Sequence, residues 1–219
     1  ILGIIAHDVN TVGANKLFSL ITFIIGLYVG YFVLALVIFP LIAFIFKVPY
    51  FETFRSIQDL FSLAFFSGRS SVVLPTLLER LKQGGSSATV VDFVSPLGYT
   101  FNLQGAVVYL ALAVAFITNS YGVSITPVSL LTITLLLTLI SKTIATVPSG
   151  TIVVLLATAS QLGLPKEGIA LIFAVDFFAN AGRTALNVLG NAIAAKALDY
   201  KTAPSAVKSA KADEDQVHS

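Results

Sequence analysis

Six polar residues near the C-terminal end have side chains suited to binding chemistry: Asp176, Asn180, Arg183, Thr184, Asn187 and Asn191. Their spacings of 4, 3, 1, 3 and 4 project on a helix as a single arc of roughly 100°. The positions between them, including Phe177, Phe178, Leu186, Val188 and Ile193, are apolar and can face lipid or packed helices. Asn and Thr alone could hold helices together at fractions of a kcal/mol each. Arg183 asks for more, because a guanidinium at the centre of a membrane helix costs about 2.5–3.5 kcal/mol even on the mildest insertion scale. Its planar fork of donors suits bidentate capture of a carboxylate. Asp176 lies two turns away on the same face, within reach of Arg183 directly or through water or substrate.

The chain around this stripe is unusually apolar. Hydrophobic residues make up 56% and charged residues 11% of 219 positions, against about 25% charged in ordinary soluble domains, so a bilayer is the natural solvent. The net charge of +2 comes from scattered basic residues without interleaved aromatics, which gives nucleic-acid binding no support. Cysteine is absent and His7 and His218 sit at opposite ends, which excludes thiolate chemistry and argues against a zinc cluster or a His-based triad. The chain opens at Ile1 within an apolar stretch and reads as a fragment lacking an N-terminal part.

Positioning the stripe requires helices. Three spans are expected at 17–46, 88–118 and 167–198, each near or above the roughly 20 residues a bilayer demands. Two further apolar stretches, 52–82 and 127–162, are broken by polar tips. The first tip is Ser67, Gly68, Arg69, Ser70 and Ser71; the second runs through Ser141, Lys142, Thr143, Thr146, Pro148, Ser149, Gly150 and Thr151. Short arms around such tips suggest re-entrant hairpins, tolerated at membrane depth only where protein or a water-filled cavity surrounds the tip. The second span is itself interrupted at Gly98, Asn102, Gln104 and Gly105, which frees backbone carbonyls. The expected fold is therefore an all-α membrane protein, with three transmembrane helices plus two re-entrant helical hairpins in a repeated hairpin-plus-span arrangement. Residues 1–16 close a preceding span and linker, 17–198 form the transport portion, and 199–219 form a polar tail read as disordered. Paired broken segments point to a substrate site near the bilayer midplane. Arg69 and Lys142 would add positive charge at the tips, unless they snorkel to an interface, and a pocket with three cations and one evident acid should take anions.

Four motifs in order carry a family resemblance. They are the serine-rich first tip with Leu74-Pro75, the broken run from Pro96 to Gly105, the second tip with Ser141-Lys142 and Val147-Pro148, and the run from Arg183 through Thr184 and Asn187 to Asn191. Spread over 17–198, they make the chain resemble the C-terminal half of the dicarboxylate/amino acid:cation symporter family, the glutamate transporters, and most closely its proton-coupled bacterial glutamate and C4-dicarboxylate branches. The resemblance implies a secondary transporter of the cell membrane, not an enzyme, with no cofactor beyond a coupling H+ or Na+. It further implies a homotrimer, whose transport domains move like elevators against an N-terminal scaffold. Ser70, Ser71, Val147 and Asn187 would hold the substrate's main carboxylate and Arg183 the distal one, with Asn180 and Thr184 beside them. Gly98, Asn102, Asn187 and Asn191 would surround one cation, and Asn102 with Gln104 another.

Departures from the family pattern refine this expectation. Gln104, Asn180 and Asn191 stand where acids are found in sodium-coupled or amino-acid-carrying members, and Ala106 stands where Thr or Ser is common. Neutral amides weaken sites for a hard cation such as sodium, so protons are favoured over sodium. Asn180 offers no charge to an ammonium group and favours a plain dicarboxylate, whereas the run Arg183–Asn187 looks most like the proton-coupled glutamate branch. Two other functions compete: an ion channel or membrane scaffold, and an intramembrane hydrolase using Ser70, Ser71 or Ser149 with Lys142 as base. Lys196, Lys201, Lys208 and Lys211 after the last span favour a cytoplasmic C-terminus.

Overall fold

The computed structural model describes the backbone of residues 14–101, 104–141, 150–159 and 163–217. Its regular elements are helices, with no strand among the described residues. The first apolar segment forms α1 (Ala14–Val33) and α2 (Phe39–Ile45), joined by a π-helical turn at Leu34–Ile38. Pro40 accounts for the turn, since proline has no N–H to continue the helical ladder. The Phe39 amide reaches back to Leu34 O, which leaves the Ala35 carbonyl to another donor. The Tyr50 hydroxyl supplies it at 2.6 Å, as an apolar surrounding requires.

The first hairpin consists of α3 (Tyr50–Ser67), a single 3-10 turn at Ser70–Val72, and α4 (Leu74–Gln83). Gly68 ends α3 in the left-handed region at φ 63°, and its amide bonds Ala64 O, a geometry that favours glycine. Pro75 occupies the first turn of α4, where a missing N–H costs nothing. Arg80 on α4 donates to Asp59 and, at 2.9 Å, to the Ser56 carbonyl on α3, so the two arms are tied near their base. Lys82 pairs with Asp92 at 2.6 Å and links α4 to the next helix.

The second apolar stretch holds α5 (Ala88–Phe101), with Pro96 inside it, and α6 (Gln104–Ser120). Then come α7 (Pro127–Ser141) and α8 (Gly150–Thr158), the two arms of the second unit, followed by α9 (Lys166–Phe173) and α10 (Asp176–Val217). Helix α10 is the hub, packing on α1, α3, α5 and α6, while α6 also packs on α7 and α9. Leu27, Ile57, Leu77, Tyr109, Leu110, Ile117 and Leu189 are buried in the shared core. Phe18, Ile25, Phe32, Leu41 and Phe44 project outward from α1 and α2, as an apolar solvent permits.

Phe18–Ile45 and Ala88–Ser120 are long and apolar enough to cross a membrane. The expected straight span 167–198 is instead a pair: α9 and α10 meet at 72°. The break falls just before Asp176, whose carboxylate in the first turn of α10 suits the positive end of a helix. The stretch expected to be a disordered tail has a helical backbone to Val217, in keeping with its Ala, Lys and Glu content.

Candidate functional site

The polar stripe does form one face of α10, and the face is met by the first hairpin and by helices α5 and α6. Asn180 is half-buried, and its Nδ2 donates to the Gly68 carbonyl at 3.0 Å, so the stripe reaches the first tip. Arg183 is also half-buried, and its Nη2 donates to Asn180 Oδ1 at 2.6 Å. Thr184 is buried, and its hydroxyl donates to the Asn180 carbonyl at 2.7 Å. This returns a Thr hydroxyl to its own helix and leaves Asn180 as the stripe's link to the hairpin.

Beneath the guanidinium lies Tyr109 of α6, fully buried, with its ring centroid 5.6 Å from Arg183 Cζ, within the range of a cation–π contact. The helices can approach this closely because Gly105 has no side chain: a Cβ there would sit 2.9 Å from the Arg183 Cα and carbonyl oxygen. The Gly105 amide instead donates to Asn187 Oδ1 at 3.2 Å. Asp176, in the first turn of α10, is buried. Tyr31 and Tyr28 on α1 donate to the Ala179 and Phe178 carbonyls, each at 3.0 Å, which fastens the first turn of α10 to α1.

Further along the face, Asn191 Nδ2 donates to the Ser95 carbonyl of α5 at 2.9 Å, next to Pro96. A Cβ on Gly98 would lie 2.0 Å from Asn191 Oδ1, so this side chain occupies space that only glycine leaves open. Asn191 Oδ1, Ser95 Oγ and Gln104 Oε1 are buried oxygens without a hydrogen-bond partner among the described residues. A crevice between the first tip and this face is lined by Ser70, Leu74, Gly98, Tyr99, Asn187 and Asn191. Among the described residues no cluster of His, Cys, Asp and Glu could hold a metal, so a cation at this place would have to rely on neutral oxygens.

The structure thus brings together Ser70, Gly98, Asn187 and Asn191 in one crevice, and Asn180, Arg183 and Thr184 in an adjoining hydrogen-bonded group. Ser71 and Arg69 are exposed at the tip, and Gln104 is half-buried at the start of α6. Asn102, Val147 and Lys142 lie outside the described residues. Reading the sequence missed Gly68 as an acceptor, Ser95 as the carbonyl for Asn191, and Tyr109 as the surface under Arg183. Gly68 could have been found as the glycine ending an apolar arm; Tyr109 has no such signal, being one aromatic among many in an apolar helix.

A chain whose described residues are helical, with membrane-length apolar helices and a polar, cation-bearing face packed among them, is a membrane protein. The sodium:dicarboxylate symporter family matches residues 1–200, and the chain belongs to that family. It is 39% identical over 194 residues to the proton/glutamate-aspartate symporter of Bacillus subtilis (strain 168), covering 89% of this chain and 47% of that protein. It is 34% identical over 194 residues to the proton/glutamate-aspartate symporter of Escherichia coli (strain K12), covering 89% and 44%. To the C4-dicarboxylate transport protein of Bacillus subtilis (strain 168) it is 32% identical over 193 residues, covering 88% and 46%. The chain spans about half the length of these curated relatives.

Proposed function

We propose that this chain is the substrate-binding portion of a secondary symporter that moves an anionic dicarboxylic substrate, glutamate, aspartate or a C4-dicarboxylate, across the cell membrane with cation coupling. The observation that carries this reading is Arg183: a guanidinium on an apolar helix, held by the neutral amide of Asn180 beside the first tip. The planar fork matches a carboxylate, and a dianion meeting it supplies the compensation an intramembrane charge needs. The names of its relatives, proton/glutamate-aspartate symporter and C4-dicarboxylate transport protein, support the same substrate class.

In this reading, residues 17–198 form an elevator-type transport portion of three spans and two re-entrant hairpins. The broken pair α9–α10 counts as the third span, and the whole carrier is a homotrimer with its C-terminus in the cytoplasm. Ser70, Ser71, Val147, Asn180, Arg183, Thr184 and Asn187 serve the substrate; Gly98, Asn102, Gln104, Asn187 and Asn191 serve the coupling cation. Neutral amides at Gln104 and Asn191 favour protons over sodium as that cation. The test is counterflow by the full-length carrier in proteoliposomes with glutamate, aspartate, succinate, fumarate and malate, under separate pH and sodium gradients. Saturable exchange of dicarboxylates driven by a pH gradient is expected. Uptake that needs sodium and ignores pH would refute the coupling, and no exchange of any of the five would refute the function.

A further inference from the structure

We propose that Asn180 is a positioning residue that joins Arg183 to the first hairpin tip in one hydrogen-bond relay, so that a carboxylate taking the guanidinium also loosens the tip. The inference rests on the assignment of Arg183 to a substrate carboxylate. Three observations carry it. The Arg183 guanidinium donates to Asn180 Oδ1 at 2.6 Å, and the other end of the same amide donates to the Gly68 carbonyl at 3.0 Å. Gly68 is needed twice at this point, because its φ of 63° excludes most side chains and a Cβ would lie 2.6 Å from Asn180 Nδ2. Past Gly68 the chain turns out to the exposed Arg69 and Ser71, so this bond sits at the inner edge of the tip.

A primary amide fits this place for a chemical reason. It accepts at one end and donates at the other, whereas a carboxylate accepts only and an apolar side chain does neither. Linked hydrogen bonds polarise one another: the guanidinium drawing on Oδ1 makes Nδ2–H the better donor to Gly68. When a substrate carboxylate takes over the guanidinium, that polarisation is lost and the tip bond weakens. The tip is therefore held while the site awaits substrate and eased as the substrate is captured.

The relay predicts different consequences for two substitutions. Asn180→Ala removes both bonds, freeing the tip and leaving Arg183 open to substrate. Asn180→Asp removes the bond to Gly68 and also sets a carboxylate against Arg183 that competes with the substrate's own. The experiment uses the full-length carrier in proteoliposomes, with other cysteines replaced and S71C as the reporter. The rate of S71C alkylation is measured without substrate, and succinate KM and maximal rate are measured by counterflow. Both variants are expected to raise the alkylation rate, while Asn180→Asp raises succinate KM about tenfold or more and Asn180→Ala raises it distinctly less. Gly68→Ala, which displaces the amide without touching Asn180, should also raise the alkylation rate and stands in for either variant that fails to fold. An unchanged alkylation rate in either Asn180 variant, or equal KM values in the two, overturns the relay. Arg183→Ala run alongside separates the two ideas: if it carries succinate with wild-type kinetics, the substrate assignment itself fails.

Discussion

Along α10, Asn180, Arg183 and Thr184 differ from Asn187 and Asn191 in how their polar atoms are met. The first group is knitted to the hairpin tip and to itself, with a permanent charge at its centre. The second group faces α5 and α6, where Asn191 Oδ1, Ser95 Oγ and Gln104 Oε1 have no hydrogen-bond partner among the described residues and the side chains carry no charge. Buried polar atoms left unmatched cost about 1–3 kcal/mol each. The Tyr109 hydroxyl beneath Arg183 is likewise buried without a partner among the described residues, so the two ends differ in charge and in the bonding of the face's own side chains. One helix face thus presents a hydrogen-bonded cationic group and a neutral oxygen group one to two turns apart.

The sharpest way to break this comparison is at Arg183. Arg183→Lys keeps the charge and loses the planar fork, so kcat/KM for succinate should fall by roughly a hundredfold, mostly through KM, with folding intact. Steric substitutions come next. Gly98→Ala drives a methyl into Asn191 Oδ1 and Gly105→Ala drives one into the Arg183 backbone. Each should lower the stability of the purified carrier by about 1–3 kcal/mol, read as a drop in the melting temperature. Gly98→Ala should change cation dependence, and Gly105→Ala substrate affinity.

A smaller and more selective effect is expected from restoring charge at the oxygen end. Asn191→Asp places a carboxylate beside Gly98 and Ser95 and should make uptake respond more strongly to a sodium gradient than in the parent. If Asn191→Asp changes succinate affinity and leaves the ion response untouched, the division of the face into two ends is wrong. The smallest effect belongs far from the site. The Arg80–Asp59 pair is substantially exposed, so Arg80→Ala should cost less than about 1 kcal/mol and leave the transport kinetics as they are.

Much of this face was legible because a helix repeats every 3.6 residues: six polar positions in an apolar run can share a side only one way. The break at the first tip was legible from Ser, Gly and Pro in an apolar stretch. The bend before Asp176 was not, since Phe173, Ala174 and Val175 include neither Gly nor Pro and nothing local marks a turn. Nor was the partner of Asn180, because Gly68 lies 112 residues away and the pairing is made by tertiary packing. The π-helical turn before Pro40 follows from proline chemistry, but its repair by Tyr50 required knowing which hydroxyl the fold would deliver.

The measurement that tests the account most directly is calorimetric binding to the purified full-length carrier, comparing succinate with the monocarboxylate butyrate in the parent and in Arg183→Ala. If Arg183 captures the second carboxylate, the parent binds succinate far more tightly than butyrate and Arg183→Ala loses that preference, by roughly 2–3 kcal/mol for a charge-assisted pair. An Arg183→Ala carrier that still prefers succinate by the parent's margin would contradict the account and make Arg183 a structural link between helices.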